Sequence, residues 1–482
     1  MKRPILLTTA FLAAGIMLAG CTATAATGTA GSARTATSSA ASDFDLDPAA
    51  VLAENEDYTT VNVDEWSEDD AVDLALSGDG VSGGADGVTA ADGIVTISDA
   101  GVYRLSGSLT GQVRVEAPED ALVVLILDGV EIRSDSGAAI EVASADDVAI
   151  HLADGSENTV SDADSYADDA EANAAIYADA DLTISGSGAL TVTGNGNDGI
   201  TSKDDLVILD GDIVVTAADD ALRGKDALAV EGGALKLEAT GGDGLKSDGD
   251  DGDDSADIDW TRGYIYVSGG TIDVTAGDDG LQAFTDTIIA GGDITVAAAD
   301  DGVKAEAVVA IGEEDGSETP TITVTDSEEA IEAANIGISA GTIDVTAADD
   351  GINASGNGEL QALIAGTEYG SGDREADSGE RLEITGGTIT VVAGFDGLDS
   401  NGSITISGGT VDITSADNGG DGPIDGNGTI DVADGIVTAN GSAWDASSAG
   451  GMGGGPGGSG GPGGGGQPPQ REDGGTSEQP AT

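Results

Sequence analysis

Short runs in which apolar and polar residues alternate, broken by Gly, Asp and Ser, recur along most of this chain. In the first half they include Ile94 to Ile97, Val102 to Leu105, and the stretches QVRVEA, LVVLILDG, AIEV and VAIHL. This pattern predicts many short strands separated by turns. One exception is Ser67 to Leu74, which reads as a short helix with a Ser cap. From about Asp181 the strands fall into a repeat of about 22 residues. Repeats begin near Ala189, Asp212, Ala234, Thr271, Asp293, Thr321, Thr342, Thr388 and Thr410.

A unit this short cannot bury its own apolar face, so successive copies must stack. Each has two or three strands, as in TIDVTA, DDG, LQA, TIIAGG. Alternate apolar residues would face inward and successive copies would pair in parallel. That predicts an all-β protein, a parallel β-helix. No six-residue period supports a left-handed helix, and dense Gly-Gly-x-Gly-x-Asp calcium units are absent. Polar, Gly-rich insertions at 247–260, 313–320 and roughly 361–380 should bulge from turns without breaking the stack.

Only 3% of the 482 residues are aromatic, and 78 are Gly, which suits thin layers of small branched side chains. Length alone would allow about three domains; the unbroken repeat argues for one elongated domain, expected to be monomeric. The net charge is −74, from 90 acidic and 16 basic residues. Such a field repels nucleic acid and anionic membrane surfaces and attracts metal cations. General solubility would explain the charge equally well, but solvation does not require acids at one register.

Residues 1–20 read as a lipoprotein signal peptide: Lys2 and Arg3, an apolar run to Leu18, then Leu18-Ala19-Gly20-Cys21. Cys21 is the only cysteine, so no intrachain disulfide is possible. Lipidation there would anchor the protein on the outer face of the cell membrane. Residues 21–42 read as a flexible tether, 43–82 as an acidic capping segment and 83–445 as the β-helix. The Gly/Pro-rich tail, 446–482, is expected to be disordered.

Aligning the repeats gives one recurrent acidic position: Asp198, Asp220, Asp243, Asp279, Asp301, Glu329, Asp350, Asp396 and, in the last, Asn418. A second acid precedes it at Asp219, Asp278, Asp300, Glu328 and Asp349. Copies stacked ~4.8 Å apart would repel by about 1 kcal/mol per pair in water and about 3 to 4 at an effective dielectric of 20. Cations are the simplest remedy, and calcium suits oxygen-rich, flexible sites. Asp198, Asp219, Asp220, Asp243, Asp278, Asp279, Asp300, Asp301, Asp349 and Asp350 are the candidate ligands, at some repeats rather than all. Alternatively the Asp-Gly pairs are purely structural turns, Asp bonding to backbone and Gly supplying positive φ.

Three residues beyond the acidic position stand Arg223, Lys246, Gln282 and Lys304, with Lys203 and Lys225 two further on. Either these neutralise the stacked acids, or they form a strip that reads anions, Arg by two bonds and Lys as a point charge. The stacking distance is close to the length of one sugar residue, so a polysaccharide could lie along the stack. Trp260, Tyr264 and Tyr266 beside the first insertion offer a possible sugar platform, or simply pack. His151 reads as a packed or surface histidine.

The segments GVYRLSGSL (Gly101 to Leu109), LILDGVEI (Leu125 to Ile132), DGSENTVSD (Asp154 to Asp162) and ANAAIYADADLTISGSGALTVTGNGNDGITSKDDL (Ala172 to Leu206) resemble secreted bacterial carbohydrate-binding β-helix proteins. ADDALRGKDAL, GDGLKSD and GYIYVSGGTIDVTAGDDG continue the likeness, which covers roughly Val81 to Asn440. The resemblance implies a right-handed, pectate-lyase-like parallel β-helix. It also implies bound Ca2+, binding of acidic plant-type polysaccharides and cellulose, and no established catalysis. Glu328-Glu329-Ala330 and Asn418 depart from the pattern.

Three functions follow. A calcium-associated cell-surface binder of polysaccharide would use Arg223, Lys225, Lys246, Lys304, Trp260 and Tyr264. A structural or adhesive rod would retain no sugar. A lyase would set calcium at Asp220 and Asp243 beside a base among Arg223, Lys225 and Lys246. No Ser-His-Asp, Cys-His or phosphate-loop arrangement is present.

Overall fold

The computed structural model describes residues 45–84, 86–167, 170–249, 259–313, 319–358, 360, 377–416 and 421–444. Cys21, the leader and tether, the tail, Asn418 and the middle of each insertion lie outside the described residues.

Among the described residues the chain is all-β apart from a few short turns of helix, and the 38 strands there form one continuous, mostly parallel sheet. Every expected repeat start is the first residue of a strand, from Ala189–Gly194 and Asp212–Ala217 to Thr388–Ala393 and Thr410–Thr414. A repeat carries three strands, as in Asp212–Ala217, Leu222–Gly224 and Ala227–Val230. Each pairs in parallel with its counterpart in the next repeat: Asp212 with Ala234, Leu222 with Leu245, Ala227 with Tyr264.

This register turns the alternation into columns. Ile213, Leu235, Ile272, Ile294, Ile322, Ile343, Ile389 and Val411 stack as one buried column. Each such side chain contributes about 1.5–3 kcal/mol on burial. Thr271, Asp273 and Thr275 on the same strand as Ile272 point outward. A slip of one residue would reverse both faces, so the register is strongly specified.

Antiparallel pairs occur at the two ends of the described stack: Val72–Gly78 with Gly80–Ser82, Val88–Ala91 with Ile94–Ile97, and Val437–Ala439 with Ser442–Ala443. The second of these turns on Asp92-Gly93, at φ 53 and 82, as a tight hairpin requires.

The segment before residue 82 differs from expectation in two ways. Ser67 does cap a helical turn, but only Glu68–Asp70 is helical. The alternation of Val72, Leu74 and Leu76 then makes Val72–Gly78 a strand, paired in parallel with Gly101–Thr110. Second, residues 45–66 run as a strap across the outer face of the third strands. Leu46 and Val51 pack with Tyr264, Ile288 and Val308. Asn55 Nδ2 donates to Asp286 (2.9 Å), Tyr264 OH to the Glu56 carbonyl (2.7 Å), Thr59 N–H to Asp205 (2.8 Å) and Val61 N–H to Thr183 (3.0 Å). Trp66 then meets His151 edge-on at 5.0 Å. This cover explains why third strands such as Ala227–Val230 are buried on both faces.

Candidate functional site

The acidic position follows the first strand, at the corner where the chain turns into the second. The next residue is Gly in most repeats, and its role is steric. Gly280 is not at positive φ; a Cβ there would collide with Val296 Cγ1 and the Gly302 carbonyl of the next repeat. Gly244 meets Val274 and Gly280 in the same way. Positive φ falls instead on the glycine before a first strand, as at Gly270 (φ 89). Ala330 is an exception to the glycine, and its N–H reaches the Asp350 carbonyl at 3.3 Å, against 2.8 Å from Gly280 to Asp301. Gly280→Ala should therefore cost about 1–3 kcal/mol, measured by thermal unfolding, with Val296→Ala recovering part of the loss. An unchanged melting temperature would contradict the steric account.

The recurrent acids are buried, not displayed: Asp198, Asp220, Asp243, Asp279 and Asp301 are each at most 3% exposed. They form a hydrogen-bonded ladder. Asp220 Oδ1 accepts the Asp243 N–H at 2.9 Å, Asp243 Oδ1 that of Asp279 at 2.8 Å, and Asp279 Oδ1 that of Asp301 at 2.8 Å. The pattern resumes between Asp350 and Asp396 at 2.8 Å. Each carboxylate thus satisfies a buried N–H that the corner leaves without a strand partner. Burial nevertheless pushes these groups up: Asp198 to about 6, Asp220, Asp279 and Asp396 to about 7 and Glu329 to about 8.

Arg223, Lys246, Gln282 and Lys304 stack in register on the second strands. Lys246 Nζ donates to Asp243 Oδ2 at 2.7 Å and lies 3.7 Å from Asp220. Lys304 Nζ lies 2.6 Å from Asp301 and 3.1 Å from Glu332. Arg223 lies 3.7 Å from Asp198 and also pairs with Asp248. One oxygen of an acid thus serves the backbone and the other a cation. Burial pulls Lys246 down, but Asp220 and Asp243 more than offset it, and it ends above its ordinary value.

The second-strand row continues past Lys304 to Glu332, Asn353 and Asp399. There the basic residues give way to acids. These positions were legible, since each lies three residues beyond Glu329, Asp350 or Asp396; the sequence reading followed the row over four repeats only. Carboxylate oxygens lie within 4.8 Å of one another in three groups: Asp278, Asp279 and Asp300; Asp301, Glu329 and Glu332; and Asp396, Asp399 and Asp425. Lys304 already occupies the second group with its own charge. Among the described residues no Lys or Arg forms an ion pair with members of the first or third. Those two all-oxygen sets suit a hard divalent cation.

Asp219, Asp278, Asp300 and Asp349 sit on the outer side of the corner, more exposed than the ladder acids Asp198, Asp220, Asp243, Asp279 and Asp301. Lys225 lies at the turn between second and third strands. Tyr264 is 1% exposed beneath the strap, so its ring offers no face to a sugar; strand alternation sends Ile265 and Val267 into the central core and Tyr264 to the outer face, where the strap seals it. Trp260 is half-buried and stacks on Phe284 at 5.3 Å. A second acidic row, Asp147, Asp181 and Asp205, lies beneath the strap and was not anticipated. It opens each third strand, where an acid is unremarkable until the strap is known to cover it.

Comparison with known proteins places these features in a family. A carbohydrate-binding domain-containing protein of Acetivibrio thermocellus is 36% identical over 137 residues, 27% of this chain and 48% of that protein. The chain therefore spans about half the length of that curated relative. A solved structure of the polysaccharide lyase-like protein from C. thermocellum, a gadolinium derivative, is 33% identical with a TM-score of 0.47, covering 50% of this chain and 99% of that one. The model of the carbohydrate-binding domain-containing proteins matches residues 91–368, more than half of the chain, and the protein belongs to that family.

Proposed function

We propose that this chain is a non-catalytic, calcium-associated carbohydrate-binding protein, wound as a right-handed parallel β-helix that holds a polysaccharide along its stack. The observation that carries the reading is the in-register row of charged side chains, repeating once per layer. A ladder of fixed pitch matches a linear polymer better than a compact ligand. Acidic polysaccharides of the pectate type, and cellulose, are the proposed ligands. Calcium, where bound, would bridge ligand and protein carboxylates; Asp278, Asp279 and Asp300 would hold it at one corner, and Asp349 and Asp350 lie along the same row. Lipid on Cys21 would keep the monomer on the outer face of the membrane.

The lyase alternative is weakened by the state of its base. A lysine that removes a proton near neutral pH needs a lowered pKa, and Lys246 is pushed the other way by Asp220 and Asp243. A purely structural rod would account for the buried, hydrogen-bonded acids, but not for membership of a carbohydrate-binding family.

The test is retention on pectate, cellulose and xylan with and without chelator. Retention on pectate should be lost with chelator. It should weaken about tenfold in Arg223→Ala, with folding checked by circular dichroism. Equal retention under every condition, or release of unsaturated sugar, would reject the reading.

A further inference from the structure

We propose that the open groove beside Phe395 is a subsite for one neutral pyranose ring, with Phe395 as its stacking platform. The proposal rests on the carbohydrate-binding reading and adds where one sugar sits and which kind.

The groove runs across four successive corners. Asp300 N–H bonds to the Asp278 carbonyl, Glu328 to Asp300, Asp349 to Glu328 and Phe395 to Asp349, at 3.2, 2.6, 2.9 and 3.1 Å. Phe395 therefore follows four acidic members of a row that continues to Ala416, whose N–H bonds to the Phe395 carbonyl at 3.1 Å. It is 48% exposed, one of four exposed large apolar side chains among the described residues, with Val63, Ile94 and Val392. The groove in front of it has a volume of about 440 Å3 and is lined by Asp326, Ser327, Glu328, Ala348 and Asp349. That volume is within the range of small-ligand clefts, about 300–1,000 Å3.

This combination has a specific chemistry. An aromatic face left in water takes the C–H face of a sugar ring, an apolar surface with polar edges. The small side chains of Ala348 and Ser327 let the ring approach. Three carboxylates within the groove accept hydrogen bonds from hydroxyls, and ionised acceptors make the stronger bonds. The same three charges repel a uronate, and among the described residues no Lys or Arg lines the groove to offset them. A neutral hexose or pentose unit is therefore favoured over an acidic one. Phe395 lies beyond residues 91–368, the stretch matched by the family.

Affinity electrophoresis through hydroxyethylcellulose and through polygalacturonate tests the proposal, using the full chain, Phe395→Ala and Phe395→Tyr. Phe395→Ala should bind the neutral glucan about tenfold more weakly while its affinity for polygalacturonate is unchanged. Phe395→Tyr should bind both as the parent does, and chelator should leave the glucan affinity intact. Unaltered glucan binding by Phe395→Ala, or glucan binding abolished by chelator, overturns the subsite while the wider reading stands on polygalacturonate. A parent chain retarded by neither polymer overturns both.

Discussion

Asp243→Ala should destabilise the protein by about 3–5 kcal/mol, whereas Asp243→Asn should cost far less. The alanine leaves the Asp279 N–H without its 2.8 Å acceptor and removes the 2.7 Å partner of Lys246. The Asp243 side of both contacts is buried, at 0% exposed, while Lys246 keeps about a quarter of its side chain in water. Asparagine keeps an acceptor for the N–H and relieves repulsion from the neighbouring carboxylates. Burial already pushes the Asp243 carboxyl above its usual range, so its charge is the dispensable part. Denaturant unfolding of the two variants measures this. Equal losses would show that charge pairing with Lys246, rather than the backbone bond, keeps an acid at this position.

In chelator, the melting temperature should fall by ~5 °C or more as pH rises from 5 to 8. Burial pushes Asp205 up to about 7 and Asp147 to about 6, Asp147 being raised further by Asp181 and Asp146. The Thr59 N–H that Asp205 accepts pulls the other way but does not cancel the burial. In the unfolded chain an Asp titrates near ~3.9. Between that value and about 7 the folded chain holds protons that the unfolded chain has released, so raising the pH favours unfolding. The contribution is full below the unfolded pKa and gone above the folded one. Asp220 and Asp279 shift in the same direction. Asp205→Asn should flatten the profile, and calcium should not restore the part that comes from beneath the strap. Stability that is level or rises from pH 5 to 8 would show that these carboxylates are not desolvated as the structure has them.

Strand starts from Ala189 onward were legible because a fixed alternation marks each one, and a Gly-Gly turn precedes those at Ala234, Thr271, Asp293, Thr388 and Thr410. The front of the stack was not, and the reason is fusion of strands. Leu122–Arg133 pairs through its first half with Asp147–Leu152 and through its last residues with Glu157–Ser161. Two strands of the repeat thus run on without a turn, which hides the period. At the site, register alone located the acids and the basic row. It could not assign each carboxylate oxygen to an N–H or to a lysine, because that depends on burial at the corner. The glycine after most of these acids was expected to supply a turn conformation and instead makes room for a valine or isoleucine one layer away, a contact between residues far apart in sequence. The strap carries no period, and its partners, from Thr183 to Asp286, are distant along the chain.

Arrays of like units generally melt unit by unit from their ends, since each touches only its neighbours. Residues 45–66 break that locality by bonding to layers that begin before Thr183 and extend past Asp286. No layer in that span can loosen without stripping the segment from the others, so the region should melt in one sharp cooperative step. Its docking surface is complete only once the chain has wound as far as Gly337, which Leu46 covers, so the first part of the body to be made is the last to be locked in place.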